Sequence, residues 1–296
     1  MRKSFLDNDI SVVISTIRPE KTLVLLASLY EQMQNRKDEV IVIFDLSVDL
    51  DIKELFNIFQ ETMTLNIVYN DRNLGLSYNR NLGIELAKNN FVVFFDDDTI
   101  IKRDILKRYK KLFSQGYVAI GGPLVLPAFY PELPKWLPSG LSSLFGIHTV
   151  QKRIWGGNWG IDARFFKKFN LSFQENLGRK GGCLQSGDES NILEKICAKG
   201  GKTTFDTALA IYHCIDKKRY NVTYLIRRAF WQGISEVRKK TILKGIQKDF
   251  TRSLQVDHNV AFLLKVLQYL VGLSFFATFL TGVLFELIFL KWRKNA

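Results

Sequence analysis

Three consecutive carboxylates, Asp96, Asp97 and Asp98, follow the five apolar residues Phe91 to Phe95. Adjacent carboxylates repel one another and lose hydration when pressed against the edge of a sheet. A hard divalent cation such as Mg²⁺ or Mn²⁺ relieves both problems, because it takes oxygen ligands from one or two carboxylates together with the phosphates of a substrate. Alternate side chains of an extended segment share a face, so Asp96 and Asp98 would point one way and Asp97 another. The same run also fits a strand end that caps a helix beginning near Arg103. A second acidic pair, Asp188-Glu189, follows Gly187 in the first turn of an expected helix; capping and the helix dipole explain that placement without chemistry. Asp45 and His213 each close a short apolar run.

These residues need elements to position them. Ile10 to Ser15, Glu39 to Phe44, Asn66 to Tyr69 and Phe91 to Phe95 have the β-branched and aromatic content of buried strands, and helical spacing separates them at Glu20 to Gln34, Ile52 to Phe59 and Leu76 to Lys88. Strands alternating with helices predict a mostly parallel sheet covered on both faces. In such sheets ligands sit beyond the C-terminal strand ends, where Asp45 and Asp96 to Asp98 fall. Further on, a helix is expected at Arg103 to Gln115 and short strands at Tyr117 to Gly122, Thr203 to Phe205 and Ala208 to Tyr212. Pro123 to Gly146 is proline-rich and irregular, and the glycines of Trp155-Gly-Gly-Asn-Trp-Gly160 imply close backbone approach to a ligand or another segment.

With 296 residues, 47% of them hydrophobic, the chain can bury a large core, and its net charge of +13 points to phosphorylated ligands or an anionic surface. Nucleic acid is not expected as a partner, because the basic residues gather late, beside an apolar segment. Three unpaired-looking cysteines, Cys183, Cys197 and Cys214, indicate neither a disulfide framework nor a zinc ribbon and suit a reducing compartment. Met1 to Asp9 lacks the apolar core of a signal peptide.

The ordered series Val12-Val-Ile-Ser-Thr16, Asp45, Asn73-Leu-Gly-Leu-Ser77 with Asn79-Arg-Asn-Leu-Gly83, Phe95-Asp-Asp-Asp-Thr99, Gly156-Gly-Asn158, Gly187-Asp-Glu189 and Tyr212-His213 resembles glycosyltransferase family 2, across roughly Ile10 to Ser235. The resemblance implies the GT-A fold, a nucleotide-sugar donor, a divalent cation and inverting sugar transfer to a glycan or lipid-linked acceptor. It places Thr16, Arg18, Asp45, Asn73, Arg80, Asp96 and Asp97 around the donor nucleotide, and Asp96, Asp98 and His213 at the metal. The family's base comes from an acidic pair usually written Glu-Asp; here the order is Asp188-Glu189, which leaves the choice between them open, with Glu189 favoured by position. Trp155, Gly157, Asn158 and Trp159 are the acceptor-side candidates. A noncatalytic nucleotide-sugar or glycan-binding subunit on the same fold is the alternative.

From Tyr220 the chain becomes basic and helical, and Val266 to Phe285 carries no charge. Twenty such residues match the hydrocarbon thickness of a bilayer. Basic residues flank this segment on both sides, so a spanning helix and an interfacial one remain open. The expected organisation is therefore a catalytic domain over 1–219, a basic connector over 220–258 and a membrane anchor over 259–296, with the catalytic domain facing the cytoplasm and the oligomeric state open.

Overall fold

In the computed structural model the described residues are 8–33, 37–46, 50–146, 154–257 and 260–295. The chain divides into two compact units. The first comprises 1–127, 149–175 and 188–214, and the second 128–148, 176–187 and 215–296.

The first unit is built on a seven-stranded sheet. Its strands are β1 (Ile10–Thr16), β2 (Glu39–Phe44), β3 (Leu65–Tyr69), β4 (Phe91–Asp96), β6 (Ala119–Gly121), β8 (Asn158–Asp162) and β9 (Thr203–Phe205). They lie side by side in the order β3-β2-β1-β4-β8-β6-β9. The first four are mutually parallel where they pair, while β8 runs antiparallel to both β4 and β6. Within this sheet, β8 is the strand absent from the sequence reading, because its glycines and tryptophan look like a turn; the short β5 (Thr99–Ile100) and β7 (Leu124–Val125) outside it were not read either. The alternation of β8 becomes evident only in place: Trp159 and Ile161 are buried on one face, and Gly160 leaves room for the rings of Tyr109 and Phe113 on the other.

Alternation along the strands splits the core in two. Val12, Ile14, Val40, Val42, Phe44, Val93 and Phe95 pack on one face with α1 (Pro19–Leu29) and α4 (Ile105–Ser114). Val13, Ile41, Ile43, Val92 and Phe94 pack on the other with Trp159, Phe166 of α5 (Ala163–Lys168) and Ile192 and Ile196 of α6 (Asp188–Ala198). Proline at the start of α1 supplies a backbone angle already suited to a helix, and Glu20 complements its dipole. Helices α2 (Leu50–Thr62) and α3 (Leu76–Leu86) complete the βα repeats.

The chain runs outward from β1 to β3, then returns to lay β4 on the opposite side of β1. The sheet therefore reverses direction between β1 and β4, and their C-terminal ends, Thr16 and Asp96, stand at the switch point where such folds bind ligands. A smaller three-stranded sheet, β5 (Thr99–Ile100), β10 (Ile211–His213) and β7 (Leu124–Val125), sits just past β4 and brings His213 opposite Thr99.

The second unit is helical: α7 (Val222–Arg238), α8 (Ile242–Ser253) and α9 (Phe262–Asn295), with a 3-10 helix at Ser139–Phe145 from the proline-rich stretch.

Candidate active site

Two arginines divide the acidic cluster. Thr16 Oγ1 donates to Asp97 Oδ2 at 2.7 Å and accepts the Arg18 N–H at 2.8 Å, so the end of β1 hands Arg18 to the turn after β4. The Arg18 guanidinium pairs with both oxygens of Asp97 and reaches Asp98 Oδ2 at 3.1 Å. Burial, with the charge of Asp98, pushes the Asp97 carboxyl up to about 6. The other oxygen of Asp98 lies 3.3 Å from His213 Nε2, and the Asp98 carbonyl accepts the Cys214 N–H at 2.7 Å. Thus Asp97 is gripped by Thr16 and Arg18, whereas Asp98 stands between Arg18 and a histidine. Asp96 keeps 39% of its side chain exposed.

The second arginine, Arg80 on α3, is buried. Its Nη1 donates to Asp188 at 2.6 Å, its Nη2 to the Gly156 carbonyl at 2.8 Å, and it stands 3.8 Å from Asp96. Ser77, one turn earlier on α3, also donates to Asp188, at 3.2 Å. Sequence reasoning gave Ser77 no role of its own, although its spacing from Arg80 puts both on one helix face. Arg80, expected beside the donor nucleotide, has its charge set between Asp188 and Asp96.

This pairing separates the two acids of α6. Burial alone would raise the Asp188 pKa, but the Arg80 charge and hydrogen bond overcome it and hold the carboxyl below its usual range. Burial and then the adjacent Asp188 charge push Glu189 up to about 7. Glu189 stays partly exposed. Asp188 is fixed as an anion; Glu189 can take up and release a proton near neutral pH.

Gly156 and Gly157 let the chain before β8 press onto this cluster. A Cβ on Gly156 would collide with the Arg80 guanidinium, and one on Gly157 would stand 2.8 Å from Asp96 Oδ2. Trp159 is fully buried, stacked on Phe94 and edge-on to Phe173. Asn158 is likewise buried: it accepts from Tyr109 at 2.8 Å and donates to the Leu209 carbonyl at 2.7 Å, tying β8 to its neighbours. Trp155 retains partial exposure.

Asp45 anchors the turn that leads into α3. Its carboxylate accepts from Leu74 N–H at 2.7 Å, Gly75 N–H at 2.8 Å and Asn70 Nδ2 at 2.9 Å, and Asn73 Nδ2 donates to its carbonyl at 3.4 Å. Roughly one further acceptor position remains on a carboxylate so engaged.

Among the described residues, no group of three or more histidine, cysteine or acidic side chains is gathered closely enough to enclose a metal by itself. The donor set nevertheless suits a divalent cation. Asp98 and His213 adjoin, Asp96 is open one residue from Asp97, and carboxylate with imidazole is a donor set such cations accept.

A sheet of this order with acids at its switch point has the GT-A fold, and solved structures share it. The mannosyltransferase PcManGT from Pyrobaculum calidifontis, determined with GDP-Man and Mn²⁺, superposes with a TM-score of 0.60 at 16% identity, over 94% of this chain and 86% of that one. S. aureus TarS, residues 1–349, gives 0.55 at 16% identity, over 97% and 92%. The chain belongs to glycosyl transferase family 2, whose model matches residues 11–175. Similar proteins include the glucosyl-dolichyl phosphate glucuronosyltransferase of Haloferax volcanii, 28% identical over 56% of this chain, and an uncharacterized glycosyltransferase of Haemophilus influenzae, 28% identical over 32%. The chain spans 56% and 38% of the lengths of these relatives.

Proposed function

We propose that this glycosyltransferase moves a sugar from a nucleoside-diphosphate donor to the hydroxyl of a lipid-linked or glycan acceptor, with inversion, on the cytoplasmic side of a membrane. The observation that carries the reading is the split of the acidic pair: Asp188 locked by Arg80, Glu189 left poised near neutrality. Glu189 takes the proton of the acceptor hydroxyl as its oxygen bonds to the anomeric carbon. The bond from that carbon to the donor phosphate breaks, and the nucleoside diphosphate leaves with the electron pair. A single displacement inverts the anomeric centre.

Arg80 holds Asp188 ionised, and that charge keeps the Glu189 carboxylate basic enough to work. Asp45 sets the turn over which the nucleoside lies, and Thr16 with Arg18 keeps the Asp97 charge from repelling the leaving group. Asp96, Asp98 and His213 would hold a Mg²⁺ or Mn²⁺ ion, which when bound supplies counter-charge for the departing diphosphate. Partial exposure of Trp155 suits it to the acceptor side, where an aromatic face can carry a sugar ring. The lipid-linked acceptor is supported by the dolichyl phosphate in the relative's name and by the long apolar helix Phe262–Arg293.

The test is release of nucleoside diphosphate and transfer to membrane lipid extracts, screened across UDP- and GDP-sugars with and without Mn²⁺. Turnover with one donor, raised by the metal, is expected. No turnover with any donor under either condition would instead favour a noncatalytic binding subunit.

A further inference from the structure

Helix α9 has two unlike faces. Gln268, Gly272, Phe275, Phe279, Gly282 and Glu286 are buried and recur every three or four residues, which makes one stripe along the helix. The stripe is fastened within its own unit throughout. A Cβ on Gly282 would collide with the Phe230 carbonyl of α7, one on Gly233 with the Phe279 carbonyl, and one on Gly272 with the Ser253 carbonyl of α8. Polar bonds close both ends. Gln268 donates to the Lys135 carbonyl at 2.7 Å and accepts the Asp257 N–H at 2.9 Å; Glu286 accepts from Arg238 at 2.8 and 3.2 Å.

The opposite face is apolar and uncovered. Leu263, Leu270, Leu284, Ile288 and Trp292 are 57 to 80% exposed, and Leu243 of α8 is 83% exposed. Between Phe262 and Leu290 the sole charged residues are Lys265 and the paired Glu286. Cations flank the apolar surface: Lys244 follows Leu243, Lys265 lies near the start of α9, and Lys291 and Arg293 lie at its end.

A helix fastened from Gln268 to Glu286 is tied along about 27 Å at its rise per residue. That is nearly the roughly 30 Å thickness of the hydrocarbon layer. A spanning pose would therefore drag α7, with Arg227, Arg228, Glu236 and Arg238, into lipid, where charged side chains are strongly disfavoured. Lying flat removes the conflict: the apolar face enters the acyl region, and the flanking cations meet headgroup phosphates. The geometry points to α9 as an in-plane membrane helix seated on an anionic bilayer. This inference rests on the membrane-associated reading above and decides how the association is made.

Two measurements on the full chain test it. Flotation with phosphatidylcholine vesicles with or without phosphatidylglycerol should show binding that the anionic lipid strengthens and salt weakens. Leu270→Glu and Ile288→Glu, both at exposed positions, should each lower vesicle binding roughly tenfold without unfolding the protein. Second, Lys265→Cys and Lys291→Cys are labelled with a membrane-impermeant maleimide in sealed membrane vesicles of one orientation, against the background of the native cysteines. The in-plane helix gives both ends the same accessibility. Ends accessible from opposite faces would overturn the in-plane pose and leave membrane association standing. Wild-type protein that floats with no vesicle would overturn both, and a dimer made monomeric by the glutamate variants would then assign the apolar face to a second copy.

Discussion

Replacing Glu189 with glutamine tests the proposed chemistry most directly. The carboxyl sits at about 7 because burial and the neighbouring Asp188 anion disfavour its charge. If it is the base, kcat/KM should follow its ionised fraction, rising about tenfold from about pH 6 to about pH 8 before levelling. In the Glu189→Gln variant the new amide can donate to Asp188 as the protonated carboxyl does, so the fold should persist while transfer falls roughly 10²–10⁴-fold. Stability should move the other way. A carboxyl whose folded pKa exceeds its unfolded one lets stability drain away as pH rises from its ordinary 4.5 through about 7. The glutamine variant escapes that loss and should be more stable than wild type at about pH 8, by on the order of 1–3 kcal/mol, with the difference gone near pH 4. The assays are initial rates at saturating metal across that pH range and urea unfolding at both extremes. A pH-independent wild-type rate, or a variant within a few-fold of wild type, would remove Glu189 from the mechanism.

Three further outcomes are expected. Arg80→Met strands Asp188 as a buried unpaired acid and should destabilise the first unit by about 3–5 kcal/mol, read as a lower urea midpoint; an unchanged midpoint would contradict the enclosed ion pair. Asp98→Ala and His213→Ala should each raise the Mn²⁺ concentration needed for half-maximal donor hydrolysis about tenfold or more, with the circular dichroism spectrum retained; an unaltered metal titration would take both residues out of the cation site. Gly282→Leu forces α7 and α9 apart and should cost about 1–3 kcal/mol in thermal unfolding, so wild-type stability would refute their close contact.

Much of the first unit was legible in the sequence because its strands are buried on both faces. Runs such as Glu39 to Phe44 and Phe91 to Phe95 carry their own signal, and the structure returns Glu39–Phe44 residue for residue. The helix at Asp188–Ala198 and the strand at Thr203–Phe205 were legible for similar local reasons. Strand β8 was not, since its exposed-looking Trp-Gly alternation becomes a strand only between β4 and β6. The same insertion put Trp159 in the core.

Residue types and order alone determined that acids end the strands, that an acidic pair opens the helix at Asp188-Glu189, and that an apolar helix closes the chain. Tertiary structure decided how those acids differ. Sequence adjacency makes Asp96, Asp97 and Asp98 look alike, but Arg18 takes Asp97, His213 borders Asp98 and Asp96 stays open, because partners come from the end of β1 and from β10, far along the chain. Likewise Asp188 and Glu189 are neighbours whose pKa values are driven apart by Arg80, more than a hundred residues earlier. Ionisation depends on the charges and solvent a carboxyl meets in space, and the fold alone brings those together.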